Sequence, residues 1–137
     1  MKSIFQRWLP VLLWALIIFA ASANSDPYKI LPGRWNEPCF SAEADAISCD
    51  ELLGRFLHTS EYAVLAILIA RAMIWRGDVH LFGLVVVLGL SELYALSDEI
   101  HQLFVPGREF QLMDLGLDLF GCVIGLSLYV LFRKKSK

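Results

Sequence analysis

Residues 97–108 read SDEIHQLFVPGR and place two acids, a histidine, a glutamine and an arginine within twelve positions. The apolar runs on either side of this stretch are each long enough to cross a lipid bilayer. Ionisable side chains near hydrocarbon are costly, and in membrane proteins they usually belong to functional sites. The stretch therefore predicts a membrane protein with polar groups held at one surface.

The overall composition favours membrane spans over a soluble core. The chain has 137 residues, of which 57% are hydrophobic, whereas about 45–50% is usual in soluble domains. This length predicts a single domain over residues 1–137. No basic patch with interleaved aromatic side chains is present, so nucleic acid is not expected as a partner.

Four segments are predicted to cross the membrane as helices, since a crossing helix needs about 20 residues. They cover approximately residues 8–23, 56–75, 81–97 and 112–132. The expected fold class is an all-α membrane protein, a four-helix transmembrane bundle. Residues 24–55 are expected to form an extracytoplasmic loop between helices 1 and 2.

The distribution of Lys and Arg predicts the orientation, because short cytoplasmic segments carry an excess of these residues. Basic residues lie before helix 1, between helices 2 and 3, and in the tail, residues 133–137. Both termini are therefore expected in the cytoplasm, with the acid-rich loop and residues 97–108 outside. A second interpretation stays open, in which residues 1–23 form a signal peptide cleaved after Ala21-Ser22-Ala23.

Polar side chains from three predicted helices should meet at the outer surface. They include groups that bind anions, exchange protons or accept hydrogen bonds. The predicted binding residues are Arg55, His58, Glu61, Asp98, Glu99, His101, Gln102, Arg108 and Asp114.

Three chemical uses of this cluster stay open. The arginines suit a phosphate or carboxylate of a lipid headgroup. His58 or His101, oriented by Asp98 or Asp114, suits acid–base catalysis, although no nucleophile accompanies them and no catalytic residue is assigned. A third interpretation is that the cluster is a salt-bridge network whose only role is to hold the helix ends together. No metal and no cofactor are predicted, since the chain has no His-x-x-x-His pattern.

Two further patterns concern cysteines and glycines. Cys39 and Cys49 lie in the predicted outer loop and are candidates for a disulfide in an oxidising compartment, with two free thiols as the alternative. Cys122 is expected only to pack. Gly121 and Gly125 form a GxxxG motif, which predicts close approach of another helix.

The motifs together resemble the VanZ-like family of bacterial integral membrane proteins. The resemblance covers roughly residues 5–132 and is most specific in residues 97–108. It depends also on the patterns R-x-x-H-x-x-E-Y from Arg55 and D-x-x-x-D-x-x-G-x-x-x-G from Asp114. The family usually has Lys at the position of Arg55, which keeps the charge, and Asn at that of Asp118.

The resemblance implies a multi-pass protein of the bacterial cytoplasmic (inner) membrane. The family is named for a protein that raises resistance to teicoplanin, a glycopeptide with a fatty acyl tail. We therefore expect a protein that binds an envelope lipid or a lipid-tailed glycopeptide at its outer face. The alternative is an enzyme that modifies a lipid-linked envelope intermediate. Membrane lipids are the expected partners, and the oligomeric state stays open.

Overall fold

The computed structural model describes residues 3–24, 49–74, 79–108 and 110–135. The described residues form four α-helices and no strand, which confirms the predicted fold class. The helices are α1 (Ile4–Ser22), α2 (Cys49–Met73), α3 (Leu81–Gln102) and α4 (Leu112–Lys135).

All four helices are long and apolar enough to cross a membrane. Only between 11% and 28% of the most apolar window of each helix is buried inside the protein. Side chains such as Leu12, Leu16, Phe82 and Phe120 point outward. Continuous apolar surface of this kind is rare on soluble proteins, so the bundle is that of a multi-pass membrane protein.

Helices α2 and α4 form the most extensive helix pair and run parallel to each other. A Cβ added at Gly121 would meet the Thr59 carbonyl group, with the carbonyl carbon at 3.0 Å. One added at Gly125 would meet the Ala63 carbonyl group in the same way, with the carbonyl carbon at 2.8 Å. The two glycines of the GxxxG motif therefore allow the backbones to touch over one helical turn, as the motif predicted.

Helix α1 completes the bundle by packing on α2 and α3, and within the described residues it does not contact α4. Ser3 and Gln6 form a capping box that begins α1. Further along, the Trp14 indole Nε1–H donates to the Glu61 carbonyl oxygen at 2.9 Å. The Tyr94 hydroxyl of α3 donates to the Ala15 carbonyl oxygen at 2.5 Å. These bonds between helices fix the rotation of α1 against its neighbours.

Two helix boundaries differ from the sequence expectation. Helix α2 begins at Cys49, before the predicted span at residue 56. Residues 49–55 belong to the later part of the predicted loop, residues 42–55, for which a short amphipathic helix leading into this span is an alternative expectation. Helix α3 continues to Gln102 instead of ending near residue 97. The extension is stabilised because the Gln102 amide donates to Asp98 one turn earlier, at 3.2 Å. Gly107 then turns the chain with a φ of 82°, a conformation that favours glycine.

The predicted disulfide cannot be placed as a pair. Cys39 lies outside the described residues, and Cys49 is disulfide-bonded. The pairing of these two residues therefore stays a prediction. Cys122 is a buried free cysteine, and its thiol lies 3.7 Å from the Tyr62 carbonyl oxygen.

Candidate functional site

Three carboxylates are buried at the end of the bundle where α1 and α3 finish and α2 and α4 begin. Asp98 is 3% exposed, and Glu99 and Asp118 are each 1% exposed. A buried carboxylate is unfavourable unless hydrogen bonds or an opposite charge compensate its lost hydration. The partners of each acid therefore reveal how the site is built.

Asp98 is held by two neutral donors. The Ser22 hydroxyl, in the last turn of α1, donates to Oδ1 at 2.5 Å. The Gln102 amide donates to Oδ2 at 3.2 Å. Both carboxylate oxygens are thus satisfied, and the pair of bonds joins α1 to α3.

Glu99 faces α4 instead. Its Oε2 accepts the backbone N–H of Gln111 at 3.1 Å, immediately before α4 begins. Its Oε1 is buried and has no hydrogen-bond partner among the described residues. Glu99 therefore anchors the start of α4 while keeping one acceptor unused.

His58 and Asp118 form a histidine–carboxylate pair between α2 and α4. His58 Nδ1 lies 3.6 Å from Asp118 Oδ1, and the His58 side chain is 16% exposed. This distance suits an ion pair and exceeds that of a direct hydrogen bond. The carboxylate can orient the imidazole and stabilise its protonated form.

A cavity of about 90 Å³ lies beside these acids. Its polar walls come from α1, α2, α3 and the turn after α3, and its apolar walls come from Ala21 and Leu57. The polar lining consists of Ser22, His58, Glu61, Asp98 and Arg108. Since the polar lining combines two acids, an arginine, a histidine and a hydroxyl, the cavity suits a polar group.

The structure brings four of the nine predicted binding residues to this cavity: His58, Glu61, Asp98 and Arg108. Gln102 is buried and supports the cavity wall by donating to Asp98, whereas Glu99 is buried and bonds to the Gln111 backbone instead. The other three predicted residues lie at the same end of the bundle but do not line the cavity: Arg55, His101 and Asp114.

His101 has a different neighbour from His58. Its ring stacks on Phe19 of α1, with ring centroids 4.2 Å apart and an interplanar angle of 29°. The two histidines therefore face different helices and do not act as a pair. Asp114 lies half-buried in the first turn of α4, where a negative charge is favourable near the helix N-terminus.

Two residues at this end were not among the predicted site residues. Asp118 shares the stripe of the glycine motif on α4, which predicts an acid in the helix interface that Arg108 or a histidine could pair with, and the structure shows His58 as that partner. Ser22 lies in an apolar helix, where a serine usually bonds to its own backbone. The Ser22 Oγ lies 3.0 Å from the Ile18 carbonyl oxygen, but its one proton is donated to Asp98 at the shorter distance. Sequence spacing gives no sign of this bond to α3.

No group of three or more metal-ligating side chains is arranged to hold a metal ion within the ranges that the structure describes. The side chains of the described cluster support hydrogen bonding, charge recognition and proton exchange at His58.

Four apolar helices, with a polar cavity at one end of the bundle, define a multi-pass membrane protein with a candidate site at that end. The chain belongs to the VanZ/LLP1 family, whose model matches residues 7–133. This confirms the resemblance inferred from the motifs. Comparisons with curated proteins and with solved structures found no match.

Proposed function

We propose that this protein binds the polar head of an envelope lipid, or of a lipid-tailed glycopeptide, at the outer face of the bacterial inner membrane. The observation that carries the proposal is the cavity of about 90 Å³ at the shared helix ends. A water molecule takes about 30 Å³ in the liquid, so the cavity has room for a small polar group. It is too small for a whole lipid, so the acyl chains would lie outside it.

The walls of the cavity suit such a ligand. The Arg108 guanidinium is a planar group that matches phosphate and carboxylate oxygens. Ala21 and Leu57 are exposed on the bundle surface, where acyl chains of a membrane lipid would contact them. A headgroup in the cavity would therefore be continuous with tails along the helices.

The placement at the outer face follows from the charge distribution. Basic residues lie at the start of the chain, at Lys2 and Arg7, and in residues 133–137 at its end, which favours both termini in the cytoplasm. The ends of α1 and α3 would then face outward with the cavity. A resistance role against lipid-tailed glycopeptides is consistent with that location, since such drugs act outside the membrane.

Lipid analysis of the purified protein tests this proposal. Mass spectrometry of intact protein, extracted in mild detergent, should reveal a copurifying lipid in stoichiometric amount. Arg108→Ala should lose most of that lipid while inserting into the membrane in normal amount. Arg133→Ala, at the opposite end of the bundle, is the matched control and should keep the lipid. Equal lipid content in all three proteins would contradict the proposal.

A second function, a membrane enzyme acting on a lipid-linked envelope substrate, is favoured by one observation. His58 lines the cavity and its Nδ1 faces Asp118 at 3.6 Å. A histidine oriented by a carboxylate is a common general base. In such an enzyme, His58 would take a proton from an attacking water or hydroxyl. Asp118 would orient His58, the role that the sequence pattern predicts for Asp98 or Asp114.

Incubation with envelope lipid extracts distinguishes the two functions. An enzyme would convert one lipid into a new product, detected by mass spectrometry, and His58→Gln would abolish the conversion. His101→Gln would leave it nearly unchanged, because His101 stacks on Phe19 outside the cavity. Absence of any product from the wild-type protein, with a lipid still bound, would reject the enzyme.

A further inference from the structure

We propose that the ligand headgroup is zwitterionic, with a cationic amine beside a phosphate, as in lipids of the phosphatidylethanolamine class. This inference rests on the proposed function and specifies its ligand. It comes from the relation between two opposite charges, Glu61 and Arg108, that line the same cavity.

Glu61 and Arg108 do not form an ion pair with each other, although both line the cavity. Within the described residues, the Arg108 side chain makes one hydrogen bond, in which its Nη2 donates to the Asn24 carbonyl oxygen at 3.3 Å. The Arg108 Nε is shielded from solvent and has no hydrogen-bond partner there. The Glu61 carboxylate likewise has no hydrogen bond or ion pair in the described part of the chain. Two opposite charges that line one small cavity without forming an ion pair with each other leave both available to a ligand that carries the two complementary charges.

The other three polar groups of the lining, Ser22, His58 and Asp98, have partners already. Asp98 receives hydrogen bonds from Ser22 and Gln102, and His58 lies against Asp118. The unused recognition capacity of the cavity is therefore one carboxylate and one guanidinium. An ammonium group would bind the Glu61 carboxylate, and a phosphate would bind the Arg108 guanidinium. A headgroup that carries both groups would therefore pair with both side chains.

A lipid fits this chemistry better than a soluble zwitterion does. Ala21 and Leu57 border the cavity and are exposed on helices whose outer faces are apolar. A soluble amine–phosphate would leave these walls uncovered, whereas the glycerol and acyl chains of a lipid would cover them.

Native mass spectrometry with three added probes tests the inference. The probes are phosphatidylethanolamine, its N-acetylated derivative with the same tails, and water-soluble glycerophosphoethanolamine. Acetylation removes the cationic charge and also adds a neutral acetyl group, so the Glu61→Gln variant below, which removes the anionic partner without changing the lipid, completes the comparison. We expect wild-type protein to bind phosphatidylethanolamine about tenfold more tightly than the acetylated lipid, because a charge-assisted hydrogen bond is lost. Glycerophosphoethanolamine should not compete at equal concentration.

Variants assign the two charges separately. Glu61→Gln should weaken binding of phosphatidylethanolamine to the level of the acetylated lipid and leave the acetylated lipid unaffected. Arg108→Gln should weaken binding of both lipids. Glu92→Gln removes a carboxylate from α3 outside the cavity and should bind both lipids as the wild type does, which controls for the change of charge.

The other results overturn specific parts of this account. Equal affinity of wild-type protein for both lipids, or unchanged selectivity in Glu61→Gln, would overturn the zwitterionic headgroup and leave lipid binding in place. Effective competition by glycerophosphoethanolamine would overturn the lipid source. Binding of no lipid at all by the wild type would overturn the proposed function together with this inference.

Discussion

The buried acids of this protein are held mainly by neutral hydrogen-bond donors. Asp98 accepts from a hydroxyl and an amide, and Glu99 accepts from a backbone N–H. Only Asp118 has a group that can carry positive charge within ion-pair distance in the described part of the chain. Since buried polar networks are costly when a member is removed, each of these bonds should matter for stability.

His58→Ala should destabilise the protein by about 1–3 kcal/mol, because it leaves the buried Asp118 carboxylate without its partner. The double variant His58→Ala/Asp118→Asn should recover part of the lost stability, since the buried asparagine amide carries no charge that needs a partner. Thermal unfolding in detergent, followed by tryptophan fluorescence, measures both effects.

His80→Ala is the matched control for that experiment, because His80 is exposed at the opposite end of the bundle. It should leave the unfolding temperature unchanged. If His58→Ala and the double variant were equally destabilised, the coupling between His58 and Asp118 would be refuted.

Sequence reasoning located the polar end correctly but could not assign partners. The spacing of Arg55, His58 and Glu61 predicts one helix face, and the structure places two of the three at the cavity. Which side chain meets Asp118 or Asp98 depends on how four helices are rotated against one another. A pattern within one helix carries no such information, so the Ser22–Asp98 bond was not predictable.

Helices α2 and α4 contact each other through small residues. The Cα atoms of Gly121 and Gly125 lie against the carbonyl groups of Thr59 and Ala63. Helices without a hydrophobic driving force between them associate through such close packing. The position of Asp118 against His58, one turn before Gly121, therefore depends on this contact.

Gly121→Ala should destabilise the bundle by about 1–3 kcal/mol, since the new methyl group would collide with the Thr59 backbone. Backbone atoms cannot move aside as a flexible side chain can, so α4 must shift as a whole. The shift should also weaken lipid binding, because Thr59 lies between His58 and Glu61 on α2, and displacing this turn would deform the cavity that both residues line. Unfolding temperature and lipid occupancy by native mass spectrometry record the two results.

Gly116→Ala provides the comparison on the same helix. A Cβ at Gly116 meets nothing within 4 Å, so this variant should keep its lipid and gain at most about 1 kcal/mol from helix propensity. Equal unfolding temperatures and equal lipid occupancy in Gly116→Ala and Gly121→Ala would contradict the close backbone contact between α2 and α4.

The helices themselves were predictable because hydropathy and length report directly on membrane spans. Their ends were less predictable. Residues 98–102 are polar and suggest a loop, yet they are helical because Asp98 and Gln102 face the bundle and bond to each other. Tertiary burial, which the local sequence does not encode, extended the helix.

The molecule as a whole is polarised along the bundle axis. The cavity and the buried acids lie at one end, and Tyr129 and Arg133 lie at the other, both donating to the Ile74 carbonyl oxygen. The charge pattern favours the second end in the cytoplasm. The proposed function at the outer face depends on this orientation.

Cysteine labelling tests the orientation. Phe104→Cys, in the exposed turn beyond α3, should react in intact cells with a maleimide that cannot cross the membrane. His80→Cys, before α3, should react only after permeabilisation, in a Cys122→Ser background for both. The reverse pattern would place the cavity in the cytoplasm and contradict the outer-face proposal.

The bond between Ser22 and Asp98 joins residues 76 positions apart in the chain, and this has a consequence for biosynthesis. The first helix leaves the ribosome long before its acceptor exists, so its hydroxyl bonds only to its own backbone until α3 has been inserted. Thr59 and Ala63 of α2 remain uncovered for longer still, because Gly121 and Gly125, which pack on them, belong to α4. A nascent chain halted before residue 112 would therefore expose polar and small-residue surfaces to the translocon and to membrane proteases. The bundle can pack fully only after α4 has been inserted.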